Sequence, residues 1–437
     1  MTLNWRSAGV NWVPLNSRES ALNLSARFAA VLAVLCIPPA LAQQKVNPPI
    51  ATYWMSIDTA SGLPMGGAGG APSMMDIGRM MMGGDMAGGG ASRSMRLELG
   101  SQRSAGGTPA AAHEIPPGLN MGASLPLETP QRAPRAEPRE DGMPESFEKP
   151  RGRLLIFWGC GEQAGSGQPH VIDFAKIAQG QVPPGLFGRR INVQRGPSMS
   201  RSKTYGDWPN QRDSTRVAAD GSLRGEHVVK GNYSPEIRFA LSEKYDFMEP
   251  VNLAQRRSGS GGVNLSWNSV ANAQGYFVTA MGSRDGSEDV VFWSSSNSRE
   301  FGELLMTWLP LAEVARLVRE KVVLPPSTTE CALPSQFTAA APSAFLRFIA
   351  YGEEANFAHP PRPQDPKTPW SPEWAVKVRL KSTASALLGE EGGTGGGGSR
   401  AGSAPAEGGS QGGGGASAPA VDPVQEGIKA LRGIFGR

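Results

Sequence analysis

The sequence predicts a mainly β protein: a sandwich of half-buried strands with one inserted amphipathic helix, joined to additional N-terminal strands and interrupted by long disordered segments. Three observations carry that expectation. Val263, Leu265 and Trp267 alternate with Asn264, Ser266 and Asn268, the period-two pattern of a strand with one buried face. Similar runs recur at 235–241, 289–293, 344–351 and 374–380. Helical spacing occurs once in the body of the chain, at Leu311, Val314, Ala315, Leu317, Val318 and Val322, between Pro310 and Pro325.

The stretch from Val263 to Met281 organises the rest. Its first strand ends near Trp267, Asn and Gly residues follow at a turn, and Tyr276 to Ala280 resumes an extended pattern, so the two read as a hairpin. A lone hairpin is unstable in water and needs further strands over its apolar face. Trp267, Gly275 and Tyr276 give the segment from Asp246 to Trp293 a pattern that resembles the B–C region of fibronectin type III and related immunoglobulin-like sandwiches. The resemblance implies a fold of that type. The chain as a whole is also similar to exported bacterial proteins of no assigned function, which implies export and nothing about mechanism.

The N-terminus carries the clearest targeting signal. Arg18 and Arg27 precede an apolar run from Phe28 to Ile37, and Ala40-Leu-Ala42 supplies a cleavage site before Gln43. The run is too short to span a bilayer. Residues 1–42 are therefore read as a signal peptide, and the mature protein as periplasmic or secreted, without a transmembrane helix. Cys36 leaves with that signal. Cys160 and Cys331 remain, and an even pair in an oxidising compartment reads first as a disulfide, with free buried thiols as the alternative. A formal charge of +4 over 437 residues, without basic clusters interleaved with aromatics, argues against nucleic-acid binding.

In order, residues 43–101 hold two strands, Thr52 to Asp58 and Ser94 to Leu99, that can pair across the Met/Gly-rich loop 61–92. Residues 102–150 read as a disordered Pro/Gly-rich linker, with only Leu119 to Leu127 apolar enough to dock. The region 151–245 is β-rich. Its run from Arg153 to Trp158 suits a strand covered on both faces, Val171 to Ile177 is ambiguous, and 185–225 is a polar excursion with little regular structure. Residues 246–388 form the immunoglobulin-like sandwich with its helix at 311–322. Its last strand alternates perfectly from Trp374 to Leu380, and Lys377, Arg379 and Lys381 are expected to face water and guard an edge. Residues 389–420 are a Gly/Ser-rich linker, and 421–437 a short amphipathic helix that presents Val424, Ile428, Leu431 and Phe435 to a partner.

Candidate sites are few. Met74, Met75, Met80, Met81, Met82 and Met86 bring soft thioethers together, the donor type that selects Cu(I). A flexible low-complexity loop is the preferred reading of them, and an adaptable contact surface the third. Cys160 follows an apolar strand, with His170 and Asp173 close behind, so a Cys–His–Asp nucleophilic site can be written. A bond to Cys331 would remove that nucleophile. The four histidines, His113, His170, His227 and His359, show no metal-ligand spacing. The proline-dense stretch from His359 to Pro369 reads as a stiff loop or a groove ligand. The expectation is a non-catalytic, exported β-sandwich that binds a protein or envelope component through its surface or its tail. A Cu(I)-binding protein is the alternative, and an enzyme using Cys160 the second.

Overall fold

Strands with one apolar face must bury it, and here three sheets close on one another to do so. The computed structural model describes residues 44–63, 91–131, 152–179, 181, 189–284, 287–300 and 303–389. The first strands in chain order are β1 (Ala51–Gly62), β2 (Ser92–Ser101), β3 (Ala111–Glu114), β4 (Ser124–Leu127), β5 (Arg153–Trp158) and β6 (His170–Asp173). Next come α1 (Phe174–Ala178), β7 (Thr204–Trp208), β8 (Gly225–Gly231), β9 (Ser234–Leu241), β10 (Ala254–Arg257) and β11 (Val263–Ser266). The chain continues with β12 (Gly275–Ser283), β13 (Val290–Ser294), α2 (Leu311–Arg319), β14 (Glu330–Leu333) and α3 (Ser335–Ala340). It closes with the long pair β15 (Phe345–His359) and β16 (Trp374–Leu387).

The main sheet has nine strands in the order β6-β5-β13-β12-β15-β16-β1-β2-β7. A three-stranded sheet, β10-β11-β14, and a four-stranded one, β4-β3-β8-β9, make the opposing layer. One face of the main sheet supplies Tyr53, Met55, Leu97, Leu99, Tyr276, Val278, Phe348 and Val378 to the shared core. The smaller sheets answer with Leu265 and Leu333, and with Val229, Ile237 and Phe239. On the other face, α2 lays Val314 and Leu317 against Phe277, Ile349 and Tyr351. At the β5 end, α1 adds Phe174 beside Leu154 and Ile156. Both faces of β5 are thus covered, as its continuous apolar run requires.

The hairpin expected between Val263 and Met281 does not form. β11 pairs with β10 and β14, and β12 pairs with β13 and β15, so the chain crosses from one layer to the other. Trp267, just past β11, plugs that crossing. Its ring meets Phe348 at 4.9 Å and Tyr276 at 5.8 Å, both edge-on. The corner closes through Asn272 at φ 63° and a Val270 N–H that donates to Tyr276 Oη at 3.1 Å. Period-two patterning shows that a strand has a buried face. It does not say which neighbour it pairs with.

Two other expectations change. β16 is not an edge: β15 lies on one side, antiparallel, and β1 on the other, parallel. The stretch read as a disordered linker contributes β3 and β4 and buries Leu119, Leu125 and Leu127 completely or nearly so. The excursion over 185–225 contains β7, with an extended run before it. Strands β1 and β2 pair antiparallel as expected. The main sheet draws on 51–62, 92–101, 153–208 and 275–387, so the divisions at 101, 150 and 245 do not separate independent sheets.

Cys160, just after β5, is bonded to Cys331 of β14, with Cα atoms 4.9 Å apart. The bond ties the main sheet to the opposing layer, and neighbouring backbone bonds do the same: Gly161 N–H donates to Ala332 O at 2.9 Å, and Ser335 N–H to Glu162 O at 2.9 Å. It closes a loop spanning 171 positions. A cross-link over so long a loop restricts the unfolded chain strongly. Reduction, or Cys160→Ser with Cys331→Ser, is expected to lower stability by about 3–5 kcal/mol, read from urea-unfolding midpoints. Superimposable curves for oxidised and reduced protein would contradict this.

Candidate functional site

The outer face of the main sheet carries charges where a sheet face is usually either wet or apolar. Directly opposed residues share a face, so register places Asn356, Lys377, Trp54 and Glu98 in one row across β15, β16, β1 and β2. The next row holds Glu354, Arg379, Ser56 and Arg96. Asn356 and Arg96 are exposed, but the side chains of β16 between them do not face open water. Lys377 and Lys381 are 13% and 12% exposed, each with a carboxylate: Glu354 at 2.9 Å and Asp58 at 3.3 Å. The guanidinium of Arg379 lies between two indoles, 4.6 Å from Trp54 and 4.9 Å from Trp308, and donates to Ser56 Oγ at 2.7 Å. Burial lowers its pKa to about 10, which still leaves it cationic at neutral pH. Lys381 sits 4.1 Å from the Trp308 ring. The expected water-facing edge guard is therefore a buried ladder of cations, carboxylates and indoles.

Two segments cover this ladder. Trp308 is held down by its Nε1–H, which donates to Ile57 O at 3.2 Å. The run 189–203 crosses the face, anchored by Arg189 to Glu300 at 3.0 Å and by Asn192 Nδ2 donating to Glu313 Oε2 at 2.9 Å. Gly196 rests directly on Trp54, where a Cβ would lie 2.8 Å from the indole. Any other residue would lift the strap.

On β2 the cover continues over Gly100, where Pro197 and Ser202 lie, but β1, β16 and β15 open into a groove at that row. Thr52, Ala375 and Ala358 form the rest of it toward the open end of β15 and β16, and their small side chains leave a dent in the sheet. An open groove of about 640 Å³ sits there. Trp54 and Lys377 wall one side, and Pro361, Arg362 and Trp370 from the β15–β16 loop the other, while Phe357, Trp374 and Arg238 border it. No carboxylate lines it. The outer wall is well supported: Trp370 exchanges backbone bonds with Lys45 and Asn47 at 2.9 Å each, and its Nε1–H donates to Pro360 O at 3.0 Å. Arg362 lies 5.6 Å from the Trp370 ring and donates to Gln44 Oε1 at 2.6 Å. The proline-dense stretch is thus a stiff loop that shapes a groove.

The histidines divide differently from their sequence spacing. His113 of β3 and His227 of β8 are both fully buried and face each other, Nε2 to Nδ1 at 2.9 Å. Their hydrogens can be placed. His227 Nε2 is 2.7 Å from Leu223 O, which only accepts, so Nε2 carries the proton and Nδ1 accepts. His113 Nε2–H must then donate, leaving His113 Nδ1 to accept from Tyr53 O–H at 2.9 Å. The chain runs one way, Tyr53 to His113 to His227 to Leu223. Burial holds both imidazoles below their ordinary pKa, aided at His113 by the neighbouring ring, and burial pushes the Tyr53 phenol up. All three side chains are fully buried, so the chain is read as core. Sequence spacing gave no sign of it, because the two residues meet only when β3 pairs with β8.

The Cys–His–Asp site is not available. The Cys160 sulfur is in the disulfide, and Asp173 caps α1 by accepting from Ala175 N–H at 2.9 Å. His170 lies in β6, opposite Ile156. The six methionines proposed for Cu(I), the signal segment 1–42 and the tail residues Val424, Ile428, Leu431 and Phe435 all lie outside the described residues. Met95, next to the Met-rich loop, is a buried core residue of β2. Among the described residues no cluster of His, Cys, Asp or Glu is arranged to hold a metal, and no helix is long and apolar enough to cross a membrane. Comparison with protein-family models, curated proteins and solved structures finds no match to this chain.

The histidine pair makes stability depend on pH. Each imidazole has a folded pKa below its unfolded value, so below pH about 6.5 the unfolded chain binds more protons than the folded one. Their contribution is complete above that pH and is lost as pH falls, with a slope approaching about 2.7 kcal/mol per pH unit for two protons. Urea-unfolding midpoints measured from pH 7.5 to 5 are expected to fall, and to fall less in the double variant His113→Phe/His227→Phe. A wild-type midpoint that stays level across that range would refute the placement of both rings as buried and neutral.

Proposed function

We propose that this chain is an exported, non-catalytic β-sandwich module that binds another macromolecule of the cell envelope, with the groove at the open end of β15 and β16 as its binding surface. The groove itself carries the reading. It combines a floor of small side chains, braced aromatic walls and the guanidinium of Arg362, while Lys377 and Arg238 of its lining are paired with Glu354 and Glu236. Such a combination of shape and charge sign favours a specific partner. The Cys160–Cys331 bond supports export, since such bonds persist in oxidising compartments. It also takes away the only nucleophile that the sequence singled out, which supports a binding role over catalysis.

Ala375→Trp tests this directly, because it fills the floor of the groove from a partly exposed position without touching the core. Purified protein is expected to bind isolated envelope fractions saturably in a co-sedimentation assay. The variant, with an unchanged melting temperature, should bind at least about tenfold more weakly, equivalent to 1.4 kcal/mol. Equal binding by a stably folded variant would remove the groove from the proposal.

A further inference from the structure

The rim of the groove is backbone as much as side chain. β15 has 15 residues and β12 only nine, so β12 follows its neighbour to Tyr351 and stops. From Glu354 to His359, β15 pairs with β16 alone. In an antiparallel ladder every second residue turns its N–H and C=O away from its partner. Among the described residues no strand takes up those groups on this stretch. It carries neither Lys nor Pro, the usual guards of a free edge. The register shift between Tyr351 and Glu354 marks where β15 leaves its neighbour. β9 likewise pairs only with β8. The contact of Phe239 with Phe357, 5.4 Å between ring centroids, sets β9 against this half of β15, and Arg238 reaches the groove from there.

The indoles cannot serve as open platforms. Trp54 and Trp374 are only 7% and 8% exposed. Arg379 already covers Trp54, and His359 stacks on Trp374 at 5.8 Å. A sugar ring that binds by stacking needs a bare aromatic face, and these two are taken. What remains open is a row of backbone hydrogen-bonding groups with Arg362 beside it; Lys377 and Arg238, the other cations of the lining, are already paired with Glu354 and Glu236.

We infer that the groove takes an extended, acidic segment of a partner protein, added as a strand along Glu354 to His359 of β15. This rests on the reading of the groove as the binding surface and names what fills it. Main-chain bonds to the free edge supply the register. Alternate side chains of the added strand project to opposite faces, so carboxylates on the set that faces outward meet Arg362.

The probe is a short synthetic peptide that alternates Glu with Thr and Val, titrated at up to millimolar concentration into the disulfide-bonded protein and followed by amide hydrogen exchange and calorimetry. Two further ligands separate the chemistries: the same peptide N-methylated at alternate residues, and soluble polygalacturonate as an acidic glycan. Binding of the unmodified peptide should protect amides between Glu354 and His359. N-methylation should weaken it at least about tenfold, as should Arg362→Glu, an exposed substitution outside the core. Equal binding of the methylated peptide would show attraction by charge alone and overturn strand addition. Binding of polygalacturonate but not of the peptide would overturn the peptide assignment and leave the groove as a binding surface. If the peptide fails while Ala375→Trp still abolishes envelope binding, the inference falls and the broader reading stands. If Ala375→Trp has no effect, both fall.

Discussion

The parallel pairing of β1 with β16 holds the molecule together. It runs without a break from Ala51 opposite Trp374 to Gly62 opposite Ser385. More than three hundred residues separate the two strands, so closing this pair costs chain entropy that local contacts cannot recover. The return comes from what the pairing assembles. It fuses the β15–β16 hairpin with β2 and β7 into one sheet, and it presents Tyr53, Met55 and Ile57 to the four-stranded layer. Without β1 in place, β3, β4, β8 and β9 would lose Tyr53, Met55 and Ile57 from the apolar surface they cover, and the disulfide would tie together only the opposite end of the sandwich.

The same pairing explains the outer face. A strand between two neighbours cannot turn its alternate side chains into bulk water once a strap lies over it. Lys377, Arg379 and Lys381 are therefore held by Glu354, by two indoles with Ser56, and by Asp58. Breaking one partner would leave a charge poorly solvated, which costs more than the pair contributes. The groove lies where this ladder gives way to Thr52, Ala375 and Ala358. Its position thus follows from the path of the strap, which lies over Gly100 of β2, and from β15 outrunning β12.

Much of the secondary structure could be read from the chain. The alternation in β9, β15 and β16, the continuous apolar run of β5 and the periodicity of α2 all marked real elements. The Cys160–Cys331 bond agrees with the first reading of those two cysteines as a pair. Short strands escaped notice: β3 and β4 lie in a segment whose Pro and Gly content reads as linker, and β10 and β14 have only four residues each. Four residues give too few alternations to stand out, and such strands form because neighbours supply the hydrogen bonds. The site was less legible. The basic residues of β16 were noticed but assigned to water, and the proline-dense loop was noticed without the aromatic wall it builds.

Sequence alone determined that strands dominate and that an amphipathic helix begins at Leu311, and it favoured pairing of Cys160 with Cys331. These follow from local periodicity and residue chemistry, which depend on near neighbours. Tertiary structure decided which strands share a sheet, that Trp267 joins two layers instead of bending a hairpin, that His113 meets His227, and that β16 is interior with a groove at its open end. Each of these depends on contacts between segments far apart in the chain. Period-two patterning is the same for an edge strand and a central one, so no local signal could have settled them.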